Sequence, residues 1–285
     1  MSDSPPVVLV HGFWHGSWCW SLVAEHLAGR GIQSVAVDCE GHGLRGPAPR
    51  ASTARPFDAA AFATEPSPVA DVTASSAAAL LADQVRTIGG GRPCLVVAHS
   101  NGGVIATAMA ELAPELVAGL VYVAAIVPAG GGPGGYYATC PENDSDKLAK
   151  LIVADPAVVG AVRIDFGDPA RRDEIKNAFY ADVDDRTADA AIALLSPDGP
   201  IGVPAEQLTV TAERYGSIPH SYVTCTRDNA IPLAVQHRLI KEIDAVSASP
   251  TVVTELESSH SPFLSQPAAL AEVIAEAAKV CSTRA

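Results

Sequence analysis

The sequence lacks an excess of positive charge and has no long hydrophobic run. Its 285 residues include 19 Lys and Arg against 32 Asp and Glu, which gives a formal net charge of −13. Such a chain does not offer the basic surface that binds nucleic acid or anionic lipid. No apolar run approaches the roughly 20 residues that cross a bilayer, and the first residues do not form a secretory signal. We therefore expect no nucleic-acid partner, no membrane partner and a cytoplasmic location.

Clustered cysteines and metal-ligand patterns are also absent. The six cysteines are widely scattered with no C-x-x-C pair, and the histidines show no ligand spacing. A zinc site or a disulfide framework needs groups of such residues at short spacing. We therefore expect buried, reduced thiols and no metal ion.

The chain has neither an internal repeat nor a coiled-coil heptad, and short apolar runs alternate with helical patterns instead. The apolar runs lie at residues 7–10, 32–37, 94–98, 120–127, 220–226 and 251–256. The helical patterns lie at residues 18–28, 103–112, 233–243 and 268–280. Strands that are apolar on both faces are typical of parallel sheets covered by helices. The alternation predicts an α/β protein with a mostly parallel, doubly wound sheet of about six strands.

Two stretches interrupt this alternation. Residues 44–71 are rich in Pro, Ala and Ser, and they predict a long loop with at most one short helix. Residues 128–217 begin with a glycine cluster at 130–135 and continue as polar, helical pieces without a strand. No Gly-Lys-Ser/Thr follows the glycines, so they indicate a hinge rather than a phosphate loop. We expect a core of residues 1–127 and 218–285, with residues 128–217 inserted as a helical cap.

A candidate nucleophile, Ser100, lies between a predicted strand and a predicted helix. It occupies the string AHSNGG at 98–103, in which small residues stand two positions before and two positions after the serine. On a tight strand-to-helix turn, small neighbours let the hydroxyl project above the strand ends. The alternative is an ordinary helix N-cap serine. His99 is expected to pack beneath the helix.

The loop after the first strand has the sequence HGFWHG at 11–16. It could direct the Phe13 N–H towards Ser100, and the Asn101 N–H would supply a second donor for an oxyanion. The other interpretation is a simple sharp turn, with His11 bonded to the loop backbone. We expect Trp14 and Gly12 to contact substrate, and the Phe13 ring to line the same pocket.

A candidate acid and a candidate base each follow a predicted strand further along the chain. Asp228 lies just past the strand at 220–226, and His260 follows the strand at 251–256. Carboxyl ends of parallel strands meet at one edge of a sheet, so both side chains can reach Ser100. Asp244 and Glu257 are rival acids, one beyond a helix and the other in the histidine's own loop.

These motifs resemble those of the alpha/beta hydrolases that include plant methyl-ester esterases, hydroxynitrile lyases and bacterial pyrethroid-type carboxylesterases. The matching stretches are residues 9–18, 98–103, 213–219, 225–228, 231–232 and 260–263. They span nearly the whole chain. The sequence departs from the family at Ala98, where Gly is commoner, and in the long stretch 44–71, which is short or absent in the plant members.

The resemblance implies a serine hydrolase that cleaves a small-molecule carboxylic ester or lactone through an acyl-enzyme, with Ser100, His260 and Asp228 as the catalytic triad. It implies no cofactor. Apolar cap residues such as Leu194 and Leu195 either shape the ester pocket or pack the cap's own core. The oligomeric state stays open, with a homodimer among the possibilities.

Two other functions remain in view. The first is cleavage of a cyanohydrin, although Gly12 and Ser261 stand where the family's lyases carry Thr and Lys. The second is a non-catalytic small-molecule receptor on the same fold, because a fold alone does not determine function.

Overall fold

Six parallel strands form the central sheet of the computed structural model, which describes residues 4–143 and 147–282. The strands of the chain are β1 Val7–Val10, β2 Ser34–Val37, β3 Cys94–His99, β4 Val117–Val123, β5 Ala161–Arg163, β6 Asp198–Pro200, β7 His220–Cys225 and β8 Val252–Leu256. The order in the large sheet is β2-β1-β3-β4-β7-β8. Strands β5 and β6 pair with each other in a separate antiparallel ribbon.

The helices surround this sheet. They are α1 Ser21–Gly29, α2 Arg50–Thr53, α3 Ala59–Thr64, α4 Ala74–Gly89, α5 Gly102–Leu112, α6 Pro156–Val159, α7 Arg172–Phe179, α8 Asp185–Ala193, α9 Gly202–Ala205, α10 Leu233–Val246, α11 Pro262–Ser265 and α12 Pro267–Ser282. Short 3₁₀ turns occupy Ser17–Trp20, Gly43–Arg45, Pro114–Leu116, Gly134–Ala138, Ala149–Leu151, Pro169–Arg171 and Tyr215–Ser217.

The sheet is covered on both faces, which explains the continuous apolar runs of its central strands. Successive side chains of a strand point to opposite faces, so β1 supplies Val8 and Val10 to one core and Val7 and Leu9 to the other. Helices α4, α5 and α10 pack on the first face, and α1 and α12 pack on the second. The predicted α/β fold with a doubly wound parallel sheet of about six strands is confirmed.

Two local predictions were wrong. Residues 128–217 contain strands β5 and β6, where the sequence indicated none. Each is only three residues long, and Asp198-Gly199-Pro200 has no apolar alternation that could have revealed a strand. Residues 44–71 contain two short helices, α2 and α3, rather than at most one.

Helix α4 was not predicted, although it carries a readable start signal. Thr73 and Ser76 form a reciprocal capping box at its first turn. Its buried face is mostly alanine, and Leu81 and Val85 are its largest buried side chains. All six cysteines are buried, as predicted. Within residues 4–143 and 147–282, no helix combines the length and the apolar character needed to cross a membrane.

Candidate active site

Ser100 occupies the turn between β3 and α5 in a left-handed backbone conformation with φ of +52°. Its N–H donates to Val123 O at 3.3 Å, and its carbonyl accepts from Gly103 N and Ile126 N at 3.0 Å each. A non-glycine residue in this region stores roughly 1–3 kcal/mol of strain, which the surrounding bonds must hold. Asn101, not Ser100, is the N-cap of α5, and its side chain makes no capping bond. The N-cap alternative for Ser100 is therefore wrong.

Glycines let the β1 loop approach this turn very closely. A Cβ on Gly12 would lie 2.6 Å from Ser100 Cβ and 3.1 Å from Ser100 Oγ. A Cβ on Gly102 would lie 2.4 Å from the His11 carbonyl oxygen. Any side chain at either position would force the β1 loop and the serine turn apart.

The two predicted oxyanion donors are the Phe13 and Asn101 N–H groups. Each belongs to a peptide group whose carbonyl oxygen accepts hydrogen bonds within the site. His11 Nδ1 donates to Gly12 O at 2.7 Å, and His11 Nε2 accepts from Cys39 N at 3.1 Å. Because a trans peptide is planar, fixing Gly12 O also fixes the direction of the Phe13 N–H. The bonds to Ser100 O fix the Asn101 N–H in the same way. Within the described chain, neither the Phe13 nor the Asn101 backbone N–H donates a hydrogen bond.

Asp228 and His260 meet across the loops that follow β7 and β8. His260 Nδ1 donates to Asp228 Oδ2 at 2.8 Å. Asp228 Oδ1 accepts from Ala230 N at 2.7 Å and from Ile231 N at 2.9 Å. The two side chains are 2% and 0% exposed, so the pair is shielded from water. A proton on Nδ1 leaves Nε2 with a lone pair, the form that a general base requires.

The rival acids lie elsewhere. Asp244 accepts a hydrogen bond from Thr251 N at 2.8 Å, and the Glu257 side chain is 80% exposed beside Arg227. Asp228 is the predicted acid that contacts the imidazole.

The prediction that His99 packs beneath the helix after Ser100 was wrong, because its ring lies against His260 and Phe263 and joins the serine turn to the histidine loop. Its Nε2 donates to the His260 backbone carbonyl at 2.8 Å, and the two ring centroids are 4.5 Å apart. Burial, with the neighbouring His260, lowers the pKa of His99 well below its usual value. A neutral ring is required here, because one nitrogen donates while the other has no partner in the described chain. The sequence signal for this role is that His99 directly precedes Ser100.

A second buried histidine supports the loop that carries Phe13. His15 Nδ1 donates to Phe13 O at 2.9 Å, and Tyr180 Oη donates to His15 Nε2 at 2.7 Å. Burial lowers the pKa of His15 to about 3. The neutral ring can therefore accept from Tyr180 and donate to Phe13 at the same time.

The predicted pocket residues Phe13 and Trp14 lie against residues 128–217. Trp14 Nε1 donates to Val162 O at 3.0 Å, and Trp14 O accepts from Ser196 N at 2.8 Å. A Cβ on Gly199 would lie 2.5 Å from the Phe13 ring. Both rings are thus held between the β1 loop and this segment.

The same segment also contacts the acid and histidine loops. Asp182 accepts hydrogen bonds from the backbone N–H and the hydroxyl of Ser259, next to His260. Asn229, next to Asp228, donates to Asn177 O at 2.8 Å and accepts from Lys147 Nζ at 3.1 Å. Sequence reasoning missed these contacts, because each joins residues far apart in the chain.

The parallel sheet, with its serine turn and its Asp–His pair at the carboxyl ends of the strands, defines an alpha/beta hydrolase. The model of the alpha/beta hydrolase family matches residues 7–273, and the chain belongs to that family. The predicted resemblance is confirmed.

Several known proteins are similar to this chain over most of their own length. Methylesterase 7 of Arabidopsis thaliana is 27% identical, with 95% of this chain and 95% of its own length covered. The pyrethroid hydrolase of Sphingobium wenxiniae is 26% identical, with 95% of this chain and 86% of its own length covered. The solved structure of a pyrethroid hydrolase from Sphingobium faniae is similar at a TM-score of 0.74 and 23% identity, over 96% of this chain and 97% of that chain.

Proposed function

We propose that this hydrolase cleaves a small-molecule carboxylic ester or lactone through an acyl-enzyme on Ser100. The observation that carries the proposal is the buried 2.8 Å bond from His260 Nδ1 to Asp228. It leaves Nε2 as the basic nitrogen of a ring that is tied through His99 to the serine turn. The esterase and hydrolase names of the relatives support the same reaction class.

In the proposed reaction, His260 Nε2 takes the Ser100 proton as the hydroxyl oxygen attacks the ester carbonyl. Asp228 stabilises the imidazolium that forms. The Phe13 and Asn101 N–H groups receive the oxyanion, and each such donor is worth about 10²–10³ in rate. His260 then protonates the leaving alcohol, and water activated by the same ring releases the acid.

Cyanohydrin cleavage is less compatible with the site. The family's lyases carry Lys at the position of Ser261, and this buried, neutral serine side chain supplies no positive charge to stabilise departing cyanide. Incubation with mandelonitrile should therefore yield no benzaldehyde.

The nucleophile is tested with Ser100→Ala, which removes the attacking oxygen and little volume. Hydrolysis of p-nitrophenyl acetate should fall by at least ~10³, while stability changes by no more than about 1 kcal/mol. His260→Ala should cost as much, and the double variant little more, because the two groups act as a unit.

Ser217→Ala is the matched control, because Ser217 lies on an exposed 3₁₀ turn and should leave activity intact. A fluorophosphonate should label the wild-type protein and Ser217→Ala but not Ser100→Ala. More than a few per cent of wild-type activity in Ser100→Ala would remove the nucleophile assignment, and absence of labelling in the wild type would favour a receptor.

A further inference from the structure

The turn between α7 and α8 carries an aspartate that bonds the histidine loop, residues 257–261. Asp182 Oδ2 accepts from Ser259 N at 3.1 Å, and Asp182 Oδ1 accepts from the Ser259 hydroxyl. Ser259 is fully buried and directly precedes His260, the proposed base. A carboxylate that accepts two hydrogen bonds from one residue fixes the orientation of that residue, because such charge-assisted bonds are stronger than neutral ones.

The other acidic side chains of this turn have different partners. Asp184 caps α8 by accepting from Thr187 N at 3.0 Å, and Asp185 forms an ion pair with Lys176. In the part of the chain that the structure describes, the hydrogen bonds of the Asp182 side chain go to Ser259 alone. The Asp182 carboxylate is therefore committed to the histidine loop.

The turn that carries Asp182 is itself held in place. Val183 N donates to Tyr180 O at 3.0 Å and closes the turn around Asp182. Tyr180 is fully buried, and its hydroxyl donates to His15 Nε2 at 2.7 Å. Because His15 belongs to the β1 loop, the turn is fixed to the same loop that carries a predicted oxyanion donor.

Three consecutive peptide groups of the histidine loop are each held by a hydrogen bond. The Ser259 N–H donates to Asp182, and the Ser259 carbonyl accepts from Ser258 Oγ at 3.0 Å. The next carbonyl, that of His260, accepts from His99 Nε2 at 2.8 Å. Because each peptide group is planar, these bonds fix the backbone before and after the His260 Cα. Loss of one of them would let the Cα shift, and the imidazole with it.

Removal of the Asp182 carboxylate would leave the Ser259 N–H buried without an acceptor. An unsatisfied buried donor is costly, so the loop would shift to find another partner. A displacement of about 1 Å at a catalytic group can slow a reaction ~10²-fold. We propose that Asp182 is a positioning residue, which holds the histidine loop so that His260 Nε2 can take the proton of Ser100. The effect on rate rests on the proposed ester hydrolysis.

The first test is the hydrolysis of p-nitrophenyl acetate, well below the melting temperature of each variant. Asp182→Ala removes both acceptors, so kcat should fall ~10–10²-fold while circular dichroism stays unchanged. In Asp182→Asn the amide oxygen can accept from Ser259 N while the NH₂ group donates to the Ser259 hydroxyl. This rescue should keep kcat within about threefold of the wild type. Asp173→Ala is the matched control, because Asp173 lies on α7 and its side chain is 94% exposed. Its kcat should equal that of the wild type.

A double-variant cycle separates positioning from a general loss of stability. Ser259→Ala removes only the hydroxyl bond, so its kcat should fall about threefold. The double variant should be no slower than Asp182→Ala, because the hydroxyl acts through Asp182. Wild-type kcat in folded Asp182→Ala, or equal losses in Asp182→Ala and Asp182→Asn, would overturn the proposal. If Asp182→Ala does not fold, Ser259→Ala decides, and wild-type kcat in that variant would overturn it.

Proton NMR tests the same positioning without a substrate. His260 Nδ1–H donates to Asp228 at 2.8 Å and should give a far-downfield signal, assigned by its absence in His260→Ala. The signal should persist in Asp182→Asn and disappear in Asp182→Ala, because a shifted loop opens this bond to exchange with water. If the wild type hydrolyses no ester, the proposed function fails, while the signal still decides the role of Asp182. An unchanged signal in Asp182→Ala would contradict that role.

Discussion

At the scale of single residues, the amide of Asp228→Asn would place a donor where the carboxylate now accepts. Its oxygen could still accept from Ala230 N and Ile231 N, so the loop should keep its shape. Its NH₂ group would face His260 Nδ1 and favour the tautomer that carries its proton on Nε2. That tautomer cannot take the Ser100 proton, so we expect kcat to fall by up to ~10⁴.

The control for this change is Glu257→Gln, on an 80% exposed side chain of the same loop region. Its kcat should match the wild type, and both variants should keep the wild-type melting temperature within a few degrees. A large loss in Glu257→Gln, with Asp228→Asn nearly active, would assign the acid to Glu257.

The sequence predicts some residues of the site better than others, for a physical reason. Ser100, Asp228 and His260 were predicted because each lies in the connection that follows a strand, and a parallel sheet gathers such positions at one edge. The bonds that His99 and Asp182 make to the histidine loop depend on contacts across 161 and 77 residues. No local pattern reports a contact of that kind.

At the scale of elements, the length of an apolar run decided which strands could be predicted from the sequence. Strand β3 is buried at all six positions and β1 at all four, so each appears as a continuous apolar run. Strands β5 and β6 are only three residues long, and one residue of each, Arg163 and Asp198, is charged and forms a buried ion pair with the other. So short a strand with a charged residue has no apolar run that the sequence could reveal.

Removal of either partner of the buried Arg163–Asp198 ion pair should have a large effect on the free energy of unfolding. Arg163 Nη1 also donates to the carbonyls of Phe62 and Glu65 in the loop 44–71. Arg163→Met would leave the Asp198 carboxylate buried without its partner, which typically costs about 3–5 kcal/mol. Asp198→Leu should cost a similar amount for the converse reason. The double variant should recover part of the loss, because neither unpaired charge remains. Urea unfolding measures all three free energies.

Lys279→Met is the control, because its ion pair with Glu276 is 66% and 63% exposed. It should change the free energy of unfolding by less than about 1 kcal/mol. Limited proteolysis should cut the loop 44–71 faster in the Arg163 and Asp198 variants only. If each single variant lost less than about 1 kcal/mol of unfolding free energy, the buried ion pair would not be what holds the loop in place.

At the scale of the whole molecule, acid sensitivity follows from histidines that the fold keeps neutral. Burial lowers the pKa of His15 and His42 to about 3 and that of His220 to about 4. In the unfolded chain a histidine titrates near 6.5. Between these values the unfolded state binds protons that the folded state does not, so the free energy of unfolding falls as the pH falls. Above pH 7 these groups are neutral in both states and contribute no pH dependence.

We therefore expect the free energy of unfolding to be level between about pH 7 and pH 8 and to decline steadily from about pH 6.5 to 4.5. Each buried histidine adds a slope of at most about 1.4 kcal/mol per pH unit. His220→Phe should flatten the decline by up to that amount, because it removes one such group while keeping a ring between Tyr122 and Tyr215. His237→Phe, at an exposed position of α10, is the control and should leave the slope as it is. Urea unfolding at each pH measures this free energy. If it declined as steeply with falling pH in His220→Phe as in the wild type, the buried histidine would not be the origin of the acid sensitivity.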